Sequence, residues 1–207
     1  MCRKHAYLQA TATIADVSIV YVWLSALLFA FVHSVLAVPR VKAWFDRHGV
    51  NAQRYRLGYS LFAIVTTAAW LAFLASLPDA ALYRVEGAWR WFLHALQILG
   101  AIVVWQSLQA FDMGLFLGLK EVMFANDPFH EHGIYRYIRH PMYTGFMLIM
   151  FAMPVQTVNG MHTALAVALY FIVGARFEEK RMLAGNSGYA DYRRRVGAFL
   201  PKNFRSR

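Results

Sequence analysis

The 207-residue sequence has a single cysteine, Cys2, so no disulfide can form within the chain and a disulfide-stabilised secreted fold is not expected. Acidic residues are also scarce: 11 Asp and Glu stand against 21 Lys and Arg, giving a formal net charge of +10. No spacing of His, Cys and Asp is typical of a zinc site, and we predict no metal. Neither a glycine-rich phosphate loop nor a Gly-x-Ser-x-Gly nucleophile motif is present.

Hydrophobic residues, in contrast, are abundant. They make up 59% of the chain, and the mean hydropathy is +0.39, which is typical of membrane proteins. A bilayer core requires a helix of about 20 apolar residues. Three long apolar runs and two shorter ones occur: Val17–Val38, Leu57–Pro78, Trp91–Phe111, Met142–Val155 and Met161–Ala175. The first run is too long for a cleavable signal peptide, and none is expected.

These runs predict an all-α polytopic membrane protein of about five transmembrane helices, folded as one domain over residues 1–207. The last two runs are separated by the segment 156–160, in which Asn159-Gly160 predicts a turn, so they form a C-terminal helical hairpin. Residues 189–201 are basic and aromatic. They predict a short amphipathic helix in a cytoplasmic tail, ended by Pro201, which either lies on the membrane or covers the preceding polar segment as a lid.

The distribution of charge predicts the orientation. Most cations fall in three segments on one side of this topology: the loop after Pro39, the residues 112–140 and the tail after Ala175. By the positive-inside rule this side is cytoplasmic, with the N-terminus outside. Contact with anionic membrane lipid then explains the basic surplus, and no nucleic-acid partner is needed.

One polar cluster stands at the mouth of a predicted membrane helix. It is the stretch Gly-Ile-Tyr-Arg-Tyr-Ile-Arg-His-Pro-Met-Tyr-Thr-Gly, residues 133–145. Pro141 suits the first turn of a helix, and it pushes His140 towards extended geometry. An interfacial anchor is one interpretation of the cluster, because Tyr and Arg favour that depth.

Glu178 and Glu179 follow the last apolar run on a helix that we expect to continue to about Ala184. A carboxylate at the membrane boundary is costly without a partner, and an ammonium or sulfonium ligand is such a partner. The alternative is a solvated helix end paired with Arg176 or Arg181. Adjacent helical residues point about 100° apart, so only one glutamate is expected to face a pocket directly.

The ordered set of motifs resembles one family, the integral-membrane methyltransferases that include isoprenylcysteine carboxyl methyltransferase and phospholipid N-methyltransferase. The likeness covers roughly 111–201. The matching residues are Gly133-x-Tyr135, Arg139-His140-Pro141-x-Tyr143-x-Gly145, Glu178-Glu179, Gly188-Tyr189-x-x-Tyr192 and Phe199-Leu200-Pro201.

The resemblance implies a cofactor-binding and catalytic part over residues 112–201, with S-adenosyl-L-methionine held between the His-Pro-x-Tyr segment and the Glu-Glu helix. A lipophilic small-molecule acceptor is expected to enter from the membrane lipid. The implied cofactor-binding residues are Gly133, Tyr135, His140, Pro141, Tyr143, Glu178 and Glu179. Arg139 and Arg176 are the implied catalytic arginines.

Within the family, the segments Phe31-x-His-Ser-x-Leu-Ala and Phe111-Asp-x-Gly-Leu-Phe resemble a bacterial branch with methanethiol S-methyltransferases. The branch implies a bacterial inner-membrane enzyme that methylates a small or lipophilic thiol. A prenylcysteine carboxylate or a lipid amine is the alternative acceptor. A thiol has an ordinary pKa of about 8.5 and needs a base. Asp112, whose pKa burial would raise, or His33 is expected to supply it.

The His-Ser segment also resembles the NnrU family, which includes a haem-dependent carotene isomerase. In that alternative His33 or His94 is an axial haem ligand, although a lone histidine in an apolar run is more often a satisfied interior residue. A catalytically silent membrane scaffold is a third possibility.

Overall fold

The computed structural model describes residues 2–120 and 130–202, with side chains from residue 17 onward. Residues 121–129 of the expected catalytic part therefore lie outside the description. The elements, in chain order, are α1 (Cys2–Ala37), α2 (Pro39–Arg47), α3 (Ala52–Ser76), β1 (Ala81–Arg84), α4 (Ala88–Leu108), α5 (Met113–Leu117), a 3₁₀ turn (Gly133–Arg136), α6 (Pro141–Phe151), β2 (Val155–Thr157), α7 (Val158–Gly185) and α8 (Tyr189–Arg195).

The all-α membrane architecture is confirmed. Four helices are long and apolar enough to cross a bilayer, namely Val17–Ala37 within α1, α3, α4 and α7. The fourth predicted run forms α6, which has only 11 residues. At a rise of about 1.5 Å per residue it spans roughly half of a hydrocarbon core about 30 Å thick. The number of full crossings thus stays a prediction.

The long helices pack in an order that differs from their order in the chain. Helix α3 packs on α1, α1 on α7, α7 on α6, and α6 on α4. The short helix α5 returns from the end of α4 to pack on α3, where the Arg56 guanidinium donates to the Leu115 carbonyl at 3.1 Å. The helices α3, α1, α7, α6 and α4 are therefore neighbours in this order, and α5 links the last of them back to the first. We call this arrangement the helix ring.

Two glycines bring α4 and α6 into direct backbone contact. A Cβ atom on Gly145 would lie 2.6 Å from the Gly100 carbonyl oxygen, and one on Gly100 would lie 2.7 Å from the Gly145 carbonyl oxygen. Real Cβ atoms do not approach so closely, so both positions need glycine. This contact explains the last glycine of the 133–145 stretch and fixes the start of α6 beside the end of α4.

The connection between α6 and α7 differs from the predicted turn. Asn159 and Gly160 lie in the first turn of α7, where the Thr157 hydroxyl accepts the Gly160 N–H at 3.0 Å. Residues 155–157 form β2 instead, which pairs antiparallel with β1. The Asn159 amide donates to the Pro78 carbonyl at 2.9 Å, so its polar group is used between segments rather than in a turn. We call this end of the bundle the sheet end.

At the opposite end, the tail end, the chain folds back over residues 138–140. After α8, the backbone runs parallel to this segment. The Arg139 N–H donates to the Gly197 carbonyl and the His140 N–H to the Ala198 carbonyl, both at 2.9 Å. Tyr189, Tyr192 and Val196 form a small buried cluster beneath it. The tail therefore contacts the polar segment, and its helix ends at Arg195 rather than at Pro201. Its position relative to the membrane stays a prediction.

Candidate active site

The polar cluster lies where the sequence places it, at the start of α6. Pro141 is the first residue of this helix, and it is fully buried. His140 occupies the preceding position with φ −121° and ψ 60°, outside the helical region. The proline disfavours a helical backbone at His140, which lies at the helix mouth with only 6% of the residue exposed.

Glu179, on α7, is the centre of a buried ion-pair cluster. Its carboxylate accepts from Arg139 Nη2 at 2.6 Å and Nε at 2.9 Å, and from His140 Nε2 at 3.1 Å. Arg193 Nε of α8 lies 3.1 Å from the other carboxylate oxygen. The Arg139 and Glu179 side chains are 7% and 10% exposed. A buried pair is tolerated only when its hydrogen-bonding groups are satisfied in this way.

Glu178 faces the same histidine from the other side, but much more loosely. Its carboxylate is 3.7 Å from His140 Nδ1 and accepts from the Tyr143 hydroxyl at 3.4 Å. Its side chain remains 37% exposed. Both glutamates thus flank the imidazole ring, because long side chains 100° apart on a helix can do so, but only Glu178 keeps a partly exposed carboxylate. The expectation that one glutamate faces a pocket directly stays a prediction.

Tyrosines line the cluster. The Tyr143 ring is stacked between those of His140 and Phe171, at centroid distances of 5.5 and 4.5 Å. The Tyr135 hydroxyl lies 3.5 Å from the Ser107 carbonyl oxygen at the end of α4. Burial, together with the negative charge of Glu178, raises the pKa of Tyr135 to about 12. This hydroxyl therefore stays protonated near neutral pH and can act as a donor.

The tail is attached to the cluster by hydrogen bonds that sequence reasoning missed. Arg139 Nη1 donates to the carbonyl oxygens of Arg193 and Val196, and the Thr144 hydroxyl donates to the Phe199 carbonyl at 2.8 Å. A Cβ atom on Gly197 would lie 1.9 Å from the Leu200 carbonyl oxygen, so the turn requires glycine. The apolar run after the basic helix, residues 196–200, is the sequence feature that could have predicted this attachment of the tail.

Two predicted catalytic residues are not brought to the cluster. Asp112 caps α5 by accepting the Gly114 and Leu115 N–H groups, and its carboxylate pairs with Lys120 at 2.7 Å. The Lys120 hydrogen bond, followed by the backbone donors, lowers the pKa of Asp112. The expectation that burial raises this pKa was wrong, because Asp112 is exposed. Arg176 is exposed too, and no described residue forms a hydrogen bond or ion pair with it. Its position is 200° around α7 from Glu178.

A separate open cleft of about 450 Å³ lies beside the cluster, between the end of α4 and the 3₁₀ turn. Its lining residues are Gln106, Gln109, Gly133, Ile134, Arg136 and Tyr137. Of the predicted cofactor-binding residues, only Gly133 is among them. The cleft is therefore distinct from the cluster around the α7 carboxylates.

The two histidines considered as haem ligands, His33 and His94, occupy opposite ends of the bundle. His33 is buried near the tail end, with Nε2 3.0 Å from the Thr66 hydroxyl. His94 lies towards the sheet end, where Nδ1 is 2.9 Å from Gln97 Oε1. Each therefore has a polar partner within the membrane region, as expected of interior histidines.

Comparison with known proteins agrees with this geometry. The family model of phospholipid methyltransferase matches residues 89–187, which include both the His-Pro-x-Tyr segment and the two glutamates. No solved structure gives a significant match.

Several curated proteins are similar over most of the chain. Methanethiol S-methyltransferase 2 of Bradyrhizobium diazoefficiens is 29% identical over 87% of this chain and 72% of its own length. The methanethiol S-methyltransferase of Mycobacterium tuberculosis is 31% identical over 84% of this chain and 74% of its own length. The methanethiol S-methyltransferase of a Pseudomonas species is 31% identical over 84% of this chain and 70% of its own length. The chain therefore belongs to the same family of membrane methyltransferases as these proteins.

Proposed function

We propose that this membrane methyltransferase transfers the methyl group of S-adenosyl-L-methionine to a small thiol, with the donor bound at the tail end of the bundle. The similar proteins are named methanethiol S-methyltransferases, which supports a thiol of that size. The observation that carries the donor site is the loosely held Glu178 carboxylate beside Tyr143 and His140.

The two glutamates have different roles in this proposal. Glu179 is already saturated by Arg139, His140 and Arg193, so it holds the site together. Among the described residues, Glu178 makes two long contacts, and its carboxylate is partly exposed. Because the donor carries a positively charged sulfonium and ammonium group, an anion with unused acceptor capacity is the group that fits it.

The remaining residues of the cluster act as supports. Tyr135 and Tyr143 offer hydroxyl groups on the same side as Glu178. Pro141 and Gly133 shape the backbone, the latter with a φ of +60°. Arg139 uses its guanidinium on Glu179 and on the tail carbonyls. It is therefore a positioning residue that fixes Glu179 and the tail, rather than a group aimed at the methyl acceptor.

The location suits the reaction. When bound, the donor supplies an electrophilic methyl group on a positively charged sulfur. Attack by a thiolate removes one negative and one positive charge, so a site with little water favours the reaction over the separated ions. The folded-back tail and the stacked rings of His140, Tyr143 and Phe171 keep water from that side of the cluster.

The orientation is part of the proposal. The donor is a cytoplasmic metabolite, and the basic loops lie at the tail end, so we place this end in the cytoplasm of a bacterial inner membrane. Reporter fusions after Arg84 and after Arg207 are then expected to report opposite sides. If both report the same side, the orientation is wrong and the donor cannot reach the cluster as described.

The function is tested by a panel of methyl acceptors with radiolabelled S-adenosyl-L-methionine and purified protein. The panel contains short alkanethiols, a farnesyl-cysteine analogue and phosphatidylethanolamine. Turnover is expected with the thiols. Turnover of the farnesyl-cysteine carboxylate or of the lipid amine, with none of the thiols, would contradict the acceptor class but keep the methyltransferase assignment.

A further inference from the structure

The proposed reaction leaves one chemical requirement without a residue. A thiol is mostly protonated near neutral pH, since its ordinary pKa is about 8.5, and an apolar pocket raises it further. The cluster at Glu179 is fully engaged, and Asp112 is exposed and paired with Lys120. Outside this cluster, His33 is a buried histidine whose Nε2 already has a partner, Thr66.

His33 is placed at the correct depth. The Tyr55 hydroxyl, near the start of α3, donates to the Leu36 carbonyl near the end of α1 at 2.5 Å. These two residues therefore mark one level of the membrane at the tail end. One turn deeper on the same two helices are Tyr59 and His33, whose rings are 6.2 Å apart.

Tyrosines on α3, α7 and α6 are close enough to influence one another electrostatically. The Tyr170 hydroxyl on α7 interacts electrostatically with those of Tyr59 and Tyr143. Tyr143 in turn reaches Glu178. Helix α1, which carries His33, packs on both α3 and α7, the helices of Tyr59 and Tyr170.

The hydrogen bonds of His33 determine its tautomer. Thr66 Oγ1 lies 2.7 Å from the Phe62 carbonyl, to which the hydroxyl must donate because a carbonyl only accepts. The Thr66 hydroxyl oxygen must therefore accept from His33 Nε2, which lies 3.0 Å away, so Nε2 carries the proton. Nδ1 is left with its lone pair. None of the described residues donates to it, and no described side-chain nitrogen or oxygen that is fully buried lacks a partner, so Nδ1 borders open space.

From this arrangement we infer that His33 Nδ1 is the general base for the thiol acceptor, in a pocket formed with Tyr59 and Tyr170. The inference rests on the proposed function. The thiol S–H bond breaks, and its proton moves to Nδ1. The thiolate sulfur forms a bond to the methyl carbon while the methyl–sulfonium bond breaks, its electron pair remaining on the donor sulfur. The imidazolium then releases the proton to water at the tail end, and Thr66 restores the tautomer. Thr66 is a positioning residue in this scheme.

The test compares a thiol that needs a base with one that does not. His33→Gln keeps a donor for Thr66 but removes the basic nitrogen. We expect kcat/KM for an alkanethiol to fall about 100-fold or more, in the range typical of a lost general base. An electron-poor aryl thiol, already ionised near neutral pH, should be methylated within about threefold of the wild-type rate. His94→Gln is the matched control, because it makes the same change in another membrane helix, and it should leave both rates unchanged.

Donor binding by calorimetry separates this inference from the proposed function. Wild-type protein that binds the donor but methylates no thiol would remove both. If His33→Gln lowers kcat/KM equally for the two thiols, His33 is a structural residue, and the inference alone is overturned. Full activity of His33→Gln on the alkanethiol would also overturn it. If His33→Gln does not fold, Thr66→Val takes its place. It is expected to slow the alkanethiol several-fold and spare the aryl thiol, and an equal effect on both would again overturn the inference.

Discussion

The two ends of the helix bundle are held together by different kinds of interaction. At the sheet end, neutral hydrogen bonds link the segments: Asn159 donates to the Pro78 carbonyl, Trp23 Nε1 donates to His162 Nδ1 at 3.1 Å, and β1 pairs with β2. At the tail end, the segments are linked by a buried ion-pair cluster of Arg139, His140 and Glu179. The Asp79 carboxylate also accepts the Asn159 N–H at the sheet end, at 3.0 Å, but Asp79 is exposed. Buried charge is expensive to desolvate, and among the described residues the buried Arg139–Glu179 pair lies at the tail end, where we propose that the donor binds.

The largest effect is expected from breaking the buried ion pair. Arg139→Leu leaves the Glu179 carboxylate without its main partner and removes two hydrogen bonds from Nη1 to the tail. A loss of about 3–5 kcal/mol in the free energy of unfolding is expected, as for other buried pairs that lose one partner. Thermal unfolding in detergent measures it, together with loss of methyl transfer.

The matched control for this change is Arg195→Ala, which removes an exposed ion pair with Glu131 at 2.9 Å. Exposed pairs contribute about 0–1 kcal/mol. Equal destabilisation by the two arginine substitutions would show that the tail end is not held by its buried charge.

A smaller loss of stability is expected from a change at the close contact between α4 and α6. Gly145→Ala places a methyl group 2.6 Å from the Gly100 carbonyl oxygen, and overpacking of this kind costs about 1–3 kcal/mol. Because α6 begins at Pro141, its displacement is also expected to weaken donor binding. The control is Gly174→Ala on α7, which meets no atom within 4 Å and should be neutral or slightly stabilising. A Gly145→Ala protein as stable as Gly174→Ala would refute the close packing.

At the sheet end, Asn159→Leu should separate stability from function. It removes the hydrogen bond to the Pro78 carbonyl at a buried position, at a cost of about 1–3 kcal/mol. Donor affinity by calorimetry should stay within twofold of wild type, because nothing at the tail end changes. A marked loss of donor affinity would mean that the two ends are coupled.

The smallest effect is expected for Asp112→Asn. The lowered pKa of Asp112 keeps it ionised at all pH values above its ordinary range, so its contact with Lys120 weakens only as the pH falls through that lowered pKa. Thiol methylation near neutral pH should therefore stay within about twofold of wild type. A collapse of thiol methylation with intact donor binding would instead make Asp112 the base.

The sequence predicted the helices and the two motifs of the site well, because long apolar runs and a proline at a helix mouth are local signals. Helix α6 begins at Pro141. Helix α7 continues through Glu178 and Glu179 and ends at Gly185, one residue beyond the predicted end. Both features depend on residues close together in the chain.

What the sequence did not predict depends on residues far apart. The backbone pairing of residues 197 and 198 with 139 and 140 involves segments too short for a periodic pattern, and so does the β1–β2 sheet. The unequal burial of the adjacent residues Glu178 and Glu179 follows from the position of Arg139, which only the packing of α6 against α7 sets. The exposure of Asp112 follows from α5, a helix of five residues.

The most direct test of the whole account is calorimetry of S-adenosyl-L-methionine binding to Glu178→Gln and Glu179→Gln, with thermal unfolding of both. Glu178→Gln should unfold at the wild-type temperature and bind the donor at least tenfold more weakly, about 1.4 kcal/mol. Glu179→Gln should unfold at a clearly lower temperature, because Arg139 loses its buried partner. Wild-type donor affinity in Glu178→Gln would contradict the central claim that this carboxylate binds the donor.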